Sequence, residues 1–348
     1  MLASAHALPT VTILVPTYNR ASFLRGALSS VLAQTYPAIQ VIVLDDASPD
    51  ETPQVAAEFA HDPRLVYLRQ PQNLGITGNW QAGIRAVTSE FFCILNDDDT
   101  LEPDFVATLV QPLVEHDDLI LSSADHWMMD ERGERLHTIS NQTSHCWKRD
   151  SLTLGYLENF GHAALIDQSI FIGATIFRRR LVTPEFIKAE AQGAVDIWLF
   201  YQCVRTGYQA YYTPDRLLNY RLHGGGMSQE RNWRPYVLEG LLFLYHQMSH
   251  DPKLDALHRL LPTKVALTMS SYGINLLALG RPREAQKALA QALHLHKNPR
   301  TLLAYGLAFL GPLGSKIMVL LQDLRGYLNS ISLGHASGML LLLTALNL

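Results

Sequence analysis

Short apolar segments alternate with amphipathic segments over the first third of the chain. Residues 11–17 read Val-Thr-Ile-Leu-Val-Pro-Thr, a β-branched run that predicts a strand buried on both faces. Apolar residues then recur with helical period over residues 23–32, before a second apolar run at residues 39–44. Further strands are predicted at residues 65–68 and 91–95. This βαβα order predicts a mostly parallel sheet covered by helices, with ligands bound at the carboxyl ends of the strands.

Acidic residues follow two of these predicted strands. Asp45 and Asp46 end the second strand, and Asn-Asp-Asp-Asp at residues 96–99 follows the strand at 91–95. Each group alone is ordinary turn or helix-cap chemistry, but their joint placement predicts one acidic cleft. Adjacent carboxylates repel one another unless a hard divalent cation neutralises them, and phosphate oxygens of a ligand can complete its coordination. We therefore expect Mn or Mg, together with a diphosphate ligand, at this cleft.

Four segments carry a resemblance to a known family. They are Val15-Pro-Thr-Tyr-Asn-Arg20, Val43-Leu-Asp-Asp-Ala-Ser48, Asn73-Leu-Gly75 with Asn79, and Leu95-Asn-Asp-Asp-Asp-Thr-Leu-Glu-Pro-Asp104. In this order they resemble the family 2 inverting glycosyltransferases, over residues 11–226. The resemblance implies an α/β fold of the GT-A type, in which a Rossmann-like mixed sheet is flanked by helices. It also implies a nucleotide-diphospho-sugar donor, for which a UDP-sugar is our expectation.

The resemblance assigns roles to residues of the donor site. Pro16 and Tyr18 would border the nucleotide base, Asp46 would accept a hydrogen bond from N3 of uracil, and Asp98 would hold the ribose or the ion. The predicted donor-nucleotide contacts are Pro16, Thr17, Tyr18, Asn19, Arg20, Asp46, Asn79, Asp97 and Asp98.

Metal contacts are implied at two further positions. Asp99 would bind the metal ion on the diphosphate, and His223, in a segment that resembles the family's closing His-Gly motif, would contact the metal or the diphosphate. Asn96 stands where the family more often has aspartate, and Gly78 stands where an arginine often precedes Asn79. Donor contacts of this chain are therefore expected to differ from those of other members.

The catalytic base is the main departure from the family pattern. Family members commonly carry an acidic residue two positions before an Asp-aromatic helix segment, but this chain has Ala194 there, ahead of Asp196-Ile-Trp198. Asp196 is accordingly the predicted catalytic residue. Glu190 and Asp167 remain alternative candidates for the base.

Later strands are predicted at residues 170–177 and at residues 211–220, the second broken at Pro214. A second, helical domain is predicted after the sheet. Residues beyond 235 lack strand signals and are rich in Leu and Ala at helical spacing. We assign residues 1–9 to a disordered N-terminus, 10–232 to the GT-A domain and 233–348 to an all-α C-terminal domain. Residues 271–299 resemble one tetratricopeptide-like helix pair. The apolar residues 302–321 are interrupted by proline, lysine and glycine, which disfavours a spanning helix and leaves helices at a membrane interface as a hypothesis.

Charge and cysteine content narrow the expected environment. The chain has 28 Lys plus Arg against 32 Asp plus Glu, a net charge of -4, so no overall basic field favours nucleic acid as a partner. Three widely spaced cysteines predict a reducing compartment, and the N-terminal residues lack a signal-peptide pattern. We expect a cytoplasmic protein and leave open a peripheral contact with the inner face of the cytoplasmic membrane through the C-terminal helices.

Two functional hypotheses follow. The first is an inverting, metal-dependent glycosyltransferase acting on a polysaccharide, lipid-linked glycan or protein acceptor. The alternative is a catalytically degenerate nucleotide-binding module whose helical domain recruits a partner, a hypothesis that Ala194 supports and the acidic cleft opposes. The sequence contains no Gly-x-Ser-x-Gly, no GxGxxG after the first strand and no Walker motif, which disfavours hydrolases, dehydrogenases and P-loop NTPases.

Overall fold

The structure is a computed structural model that describes residues 8–224 and 232–332, and of residues 325–332 it describes the backbone alone. Most of the predicted disordered N-terminus, residues 1–7, lies outside the described residues. The described chain divides into two compact units. The first contains residues up to Ala189 and then Val195–Gly224, whereas the second contains Glu190–Ala194 and the helices after residue 232. The predicted boundary at 232/233 adjoins residues 225–231, which are not described, and stays a prediction.

One nine-stranded sheet forms the centre of the first unit. Its strands are β1 (Val11–Thr17), β2 (Ile39–Asp45), β3 (Leu65–Arg69), β4 (Phe91–Ile94), β5 (Thr100–Leu101), β6 (Leu119–Met129), β7 (Gly155–Tyr156), β8 (Thr175–Arg178) and β9 (Gln209–Arg221). Their spatial order is β3-β2-β1-β4-β8-β6-β9-β5, with β7 paired to β9. Strands β1 to β4 are parallel, and β8 runs antiparallel to both β4 and β6. The predicted α/β fold with a mixed sheet is confirmed.

Helices flank the sheet. They are α1 (Ala21–Leu32), α2 (Thr52–Glu58), α3 (Gly75–Ala86), α4 (Phe105–Glu115), α5 (His137–Cys146) and α6 (Val195–Arg205). Nearly every residue of β1 and β2 is buried, as their β-branched sequences predict. Helix α3 packs closely because Gly83 has no side chain: a Cβ there would lie 2.3 Å from Leu44 and 3.2 Å from Leu14.

Two details of the predicted strands are wrong. The strand expected at residues 170–177 begins only at Thr175, because Ile172–Ala174 forms a single 3-10 turn before it. Pro214 does not interrupt β9. It lies in an irregularity of the β6–β9 pairing, because Ala124 pairs with Thr213 while the next residue, Asp125, pairs with Arg216. Strand β9 therefore continues to Arg221.

The direction of the strands brings several chain segments to one edge of the sheet. Strands β1, β2 and β4 end there, and so do β6 and β9, because β8 reverses direction between β4 and β6. The acidic residues 96–99 connect β4 to β5, which pairs with β9. This edge therefore collects the acidic residues and the end of β9.

The second unit is helical. Its helices are α7 (Trp233–Ser249), α8 (Asp255–His258), α9 (Leu261–Ala278), α10 (Pro282–Leu295), α11 (Pro299–Ala308) and α12 (Pro312–Ser332). Ile274, Leu289 and Ala304 lie in its hydrophobic core. The side chain of Asn298 caps α11 by accepting from the N–H of Arg300 at 2.9 Å. The predicted helical C-terminal region is confirmed, while the tetratricopeptide resemblance of the α9–α10 hairpin stays a prediction.

Among residues 8–224 and 232–332, no helix has the length and apolar character needed to cross a membrane. The apolar sequence at residues 339–348 lies outside the described part of the chain.

Gly240 on α7 provides a test of packing in the second unit. A Cβ at Gly240 would lie 2.0 Å from the carbonyl oxygen of Ala191, so Gly240→Ala requires a backbone shift. We expect it to lower the free energy of unfolding by about 1–3 kcal/mol in urea denaturation. Gly306→Ala on α11 is the matched control, because nothing lies within 4 Å of its Cβ position and alanine favours helix. Equal stability of Gly240→Ala and the unaltered protein would contradict this packing.

Candidate active site

Carboxylates and two basic side chains meet at the edge where the parallel strands end. Arg20 Nη1 donates to Asp98 Oδ2 at 2.6 Å and to Asp97 Oδ1 at 3.3 Å. His223 Nε2 lies 3.0 Å from the same Asp98 Oδ2. The structure thus brings together residues from the end of β1, the β4–β5 connection and the segment after β9. We call Arg20, Asp97, Asp98, Asp99 and His223 the acidic cluster.

Burial makes the acidic cluster electrostatically costly. It raises the pKa of Asp97 to about 7, even though the positive charge of Arg20 opposes this change. Burial also raises the pKa of Asp99 well above its usual range, and the neighbouring charge of Asp98 adds to the effect. Carboxyl groups with raised pKa values in a cleft mark a candidate functional site.

Arg221 fixes the geometry of this cluster. Its backbone N–H donates to Asp99 Oδ1 at 2.9 Å, and its Nε donates to the carbonyl oxygen of Asp98 at 2.8 Å. The ring of Phe23 lies 4.3 Å, centroid to centroid, from the ring of His223. Sequence analysis missed Arg221 and Phe23, although Arg221 stands two residues before His223 and so belongs to the segment that the resemblance had marked.

The loops after β1 and β2 are tied to each other. Asn19 has φ +56° and Ala47 φ +62°, conformations that L-residues seldom adopt. The N–H of Asn19 donates to Ser48 Oγ at 3.0 Å, and the N–H of Ser48 donates to Asp45 Oδ1 at 2.8 Å. Tyr18 remains 46% exposed between these loops, so its ring is available to stack on a ligand.

The side chains of Asp46 and Asn79 differ in how much of their hydrogen-bonding capacity is satisfied within the protein. Asp46 Oδ1 accepts from the N–H of Leu74 at 2.7 Å, and burial raises the pKa of its carboxyl group. Asn79 is buried, with Nδ2 donating to the carbonyl oxygen of Leu44 at 2.9 Å and Oδ1 accepting from Gln70 at 3.2 Å. Both polar atoms of Asn79 are therefore bonded to groups at the ends of β2 and β3, and its donor contact stays a prediction.

Asp196 forms no hydrogen bond or ion pair with the acidic cluster. It occupies the first turn of α6, where its Oδ1 accepts from the N–H of Ile197 at 2.8 Å, and burial raises the pKa of its carboxyl group. No ion pair joins it to another described residue. Of the alternative bases, Asp167 lies 3.1 Å from His162 Nδ1, and Glu190 belongs to the second unit, as does Ala194.

The acidic cluster supplies only part of the coordination of a divalent cation. Within the described residues, no three His, Cys, Asp or Glu side chains form a group that could hold a metal ion on their own. Asp98 nevertheless offers Oδ1, which accepts no hydrogen bond from a described residue, beside the imidazole of His223. Both oxygens of Asp99, by contrast, accept hydrogen bonds, from Arg221 and Asn96. A carboxylate oxygen suits Mn or Mg when diphosphate oxygens and water complete the coordination.

Comparison with known proteins assigns this domain to a family. Residues 12–177 match the family model described as Glycosyl transferase family 2. The chain carries a family 2 glycosyltransferase domain. The predicted family is thereby confirmed, and sugar transfer is the chemistry that the name of this family describes.

Sequence relatives of the chain include bacterial glycosyltransferases. Over 276 residues, the chain is 25% identical to the putative glycosyltransferase EpsH of Bacillus subtilis, with 77% of each chain covered. It is 33% identical over 107 residues to glycosyltransferase GlyA of Streptococcus pneumoniae, an alignment that covers 30% of this chain and only 15% of GlyA.

Solved structures have a similar fold. Residues 1–349 of S. aureus TarS, solved with UDP-GlcNAc, superpose with a TM-score of 0.61 at 14% identity, covering 89% of each chain. The mannosyltransferase PcManGT from Pyrobaculum calidifontis, solved with GDP-Man and Mn2+, gives a TM-score of 0.54 at 21% identity, covering 91% of this chain and 85% of that one. At these identities the similarity shows the fold alone.

Proposed function

We propose that this family 2 domain transfers a sugar from a UDP-sugar to an acceptor hydroxyl with inversion at the anomeric carbon. The observation that carries the proposal is the acidic cluster, in which Asp98 faces Arg20 and His223 at the carboxyl edge of the parallel strands. Ligands of open α/β sheets bind at this edge. The alternative, a degenerate nucleotide-binding module, keeps the donor site but lacks transfer.

The donor would lie across the loops after β1 and β2 and extend to the acidic cluster. Tyr18 would stack on the base, Asp46 would accept from N3 of uracil, and Arg20 would contact the diphosphate. Asp98 and His223 would hold a divalent cation, which supplies charge stabilisation to the departing diphosphate when bound. The predicted ligand role of Asp99 stays a prediction, since its hydrogen bonds support a positioning role for this residue.

The chemistry requires a base for the acceptor hydroxyl. Asp196 would remove the proton as the acceptor oxygen forms a bond to the anomeric carbon. The bond from that carbon to the diphosphate oxygen breaks on the opposite side, and the electron pair leaves with UDP. The raised pKa of Asp196 makes it a stronger proton acceptor than an exposed aspartate, as long as the pH keeps it ionised.

Sugar-dependent release of UDP tests the proposal. The full chain, with Mn, is given a panel of UDP-sugars and acceptor glycans, and free UDP and the anomeric configuration of the product are measured. We expect acceptor-dependent release with inverted configuration. Binding of UDP without any transfer, over the whole panel, would instead favour the degenerate module.

A pH dependence is expected from Asp46. Because burial raises the pKa of its carboxyl group, Asp46 becomes protonated at a higher pH than an exposed aspartate and then accepts poorly from N3 of uracil. We expect the Kd for UDP to increase as the pH falls from 7 towards 4.5, and Asp46→Asn to remove this part of the dependence. Calorimetric titrations over that range measure it. The same pH profile in both proteins would show that Asp46 does not contact the base.

We also propose that the second unit contacts anionic membranes. Large apolar side chains on or beside α11 and α12 are exposed, among them Leu302, Phe309, Leu310, Leu313 and Leu320. Leu310→Ser with Leu313→Ser and Leu320→Ser is expected to lower binding to phosphatidylglycerol vesicles at least about tenfold, because transfer of each leucine to lipid is lost. Val114→Ser, an exposed valine on α4, is the control. If the unaltered protein, the triple variant and Val114→Ser sediment equally with vesicles, the proposal is contradicted.

A further inference from the structure

A second polar cavity lies in the first unit, away from the acidic cluster. It has a volume of about 490 Å³ and lies among β6, β9 and the α5 region, with Trp127, Asn141, Arg149 and Arg216 in its wall. Arg216 precedes Arg221, which binds Asp98 and Asp99, by five residues of β9. At about 3.3 Å per residue, the cavity is about 16 Å along the strand from the acidic cluster. We call it the β6–β9 pocket.

One buried carboxylate at the base of the β6–β9 pocket is shared by two guanidinium groups. Asp125 accepts from Arg149 Nε at 2.7 Å, from Arg216 Nε at 3.2 Å and from Ser144 Oγ at 2.5 Å. Burial alone would raise the pKa of Asp125, but the bond from Ser144 and the charge of Arg149 outweigh it and lower the pKa. Burial and the two arginines hold the pKa of His126 at about 3, so this imidazole is neutral. The buried group therefore has a net charge of +1.

Arg149 has hydrogen-bonding capacity that the protein leaves unused. Its side chain is only 4% exposed, its Nε is bonded to Asp125, and neither Nη atom donates to any described residue. Arg149 forms part of the wall of the β6–β9 pocket, so its Nη donors are available to an oxyanion of a ligand. Arg216, in contrast, donates from Nη2 to Asn141 Oδ1 at 2.8 Å and lies 4.5 Å from the Trp127 ring centroid.

The chemistry of the pocket selects a class of ligand. The two Nη atoms of an arginine form a planar pair of donors that matches the two oxygens of a carboxylate or a phosphate. The rim carries the exposed carboxylates of Asp150 and Asp215. Water screens these charges, and their oxygens can accept hydrogen bonds from hydroxyl groups. The pocket therefore presents oxyanion donors at its base and hydroxyl acceptors at its rim.

We propose that the β6–β9 pocket binds an acidic sugar unit of the acceptor glycan, with its carboxylate or phosphate on Arg149. The inference rests on the proposed transferase function and adds the substrate class, an anionic glycan long enough to reach from the pocket to the acidic cluster. A distance of about 16 Å corresponds to a few sugar units. The pocket thus selects the acceptor at a distance from the reacting hydroxyl.

Binding of defined glycans to the full chain tests this inference. The probes are an oligogalacturonate, a poly(ribitol phosphate) oligomer and a neutral malto-oligosaccharide of similar length, titrated by calorimetry at fixed ionic strength. We expect one of the two anionic probes to bind at least tenfold more tightly than the neutral one. The probe that binds more tightly shows whether the pocket prefers a carboxylate or a phosphate. Equal affinity for all three probes, or no binding of the anionic ones, would overturn the proposal.

Two variants localise the binding. Arg149→Lys keeps the charge but loses the planar pair of donors. Asn141→Asp adds a negative charge that pairs with Arg216, so the two arginines no longer outnumber the carboxylates bonded to them. Each is expected to weaken binding of the anionic probe at least fivefold, while Arg132→Gln, an exposed arginine in the β6–α5 turn, leaves it unchanged. If Arg149→Lys fails to fold, Asn141→Asp alone decides, and unchanged affinity in that variant contradicts the proposal.

A parallel titration with UDP separates this inference from the proposed function. Anionic glycan binding without UDP binding would contradict the donor site and leave the pocket in place. UDP binding without a preference for anionic glycans would support the donor site and contradict the inference about the pocket.

Discussion

Asp98→Asn is expected to lower kcat/KM for sugar transfer by about 10²–10³-fold, the range seen when one charge-stabilising group of a transition state is removed. The substitution keeps the shape of the side chain but removes the negative charge beside Arg20 and His223. An amide is a poor ligand for a hard cation, so both binding of the donor diphosphate and stabilisation of departing UDP are weakened. Steady-state kinetics at varied Mn concentration measure the effect.

Two further variants test whether the loss of activity is specific to Asp98. Asp104 is an exposed aspartate that follows Asp99 in the chain, and it accepts a hydrogen bond from Thr35 Oγ1. Asp104→Asn is expected to retain full activity. Asp99→Asn is expected to lower thermal stability, because it disturbs the bonds to Arg221 and Asn96, with a smaller change in the Mn dependence. A loss of Mn dependence in Asp99→Asn but not in Asp98→Asn would return the metal role to Asp99.

Asp196→Asn is expected to lower kcat by about 10²–10⁴-fold while the Kd for UDP stays within twofold of the original. A general base acts only on the acceptor proton, so its removal leaves the donor site intact. The side chain lies in the first turn of α6 and forms no ion pair with a described residue, so the amide fits without leaving a charge unpaired. In the unaltered enzyme, kcat should rise with pH as Asp196 ionises at its raised pKa.

Matched variants of the alternative bases complete this test. Asp167→Asn and Glu190→Gln are expected to retain most of the activity. If Asp167→Asn abolishes transfer and Asp196→Asn does not, the base is Asp167, paired with His162 at 3.1 Å. Loss of UDP binding in Asp196→Asn would show that this residue supports the donor site instead.

Local sequence patterns predicted the parallel half of the fold well. The β-branched runs of β1 and β2 and the helical period of α1 are encoded within a few residues, and the acidic ends of the strands followed from parallel order. The reversal at β8 was not predicted, because it depends on pairing of Thr175–Arg178 with strands more than fifty residues earlier in the chain. Long-range pairing leaves no local signature.

Side-chain roles within the candidate site were less predictable than its location. The sequence placed Asp97, Asp98 and Asp99 at one cleft, but it did not distinguish Asp98, which faces His223, from Asp99, which is bonded to Arg221. Such distinctions depend on the φ and ψ angles of a short turn. The same limit applies to Arg149, whose importance arises only when α5 and β9 bring it beside Asp125.

Thermal unfolding with nucleotides is the most direct test of the donor site. The melting temperature is measured with UDP, GDP, CDP and dTDP, each with and without Mn, because a ligand that binds only the folded state raises it. We predict the largest increase with UDP and Mn together, and its loss in Asp98→Asn but not in Asp104→Asn. No increase with any nucleotide, or an equal increase in Asp98→Asn, would contradict a metal-assisted nucleotide-sugar site at the acidic cluster.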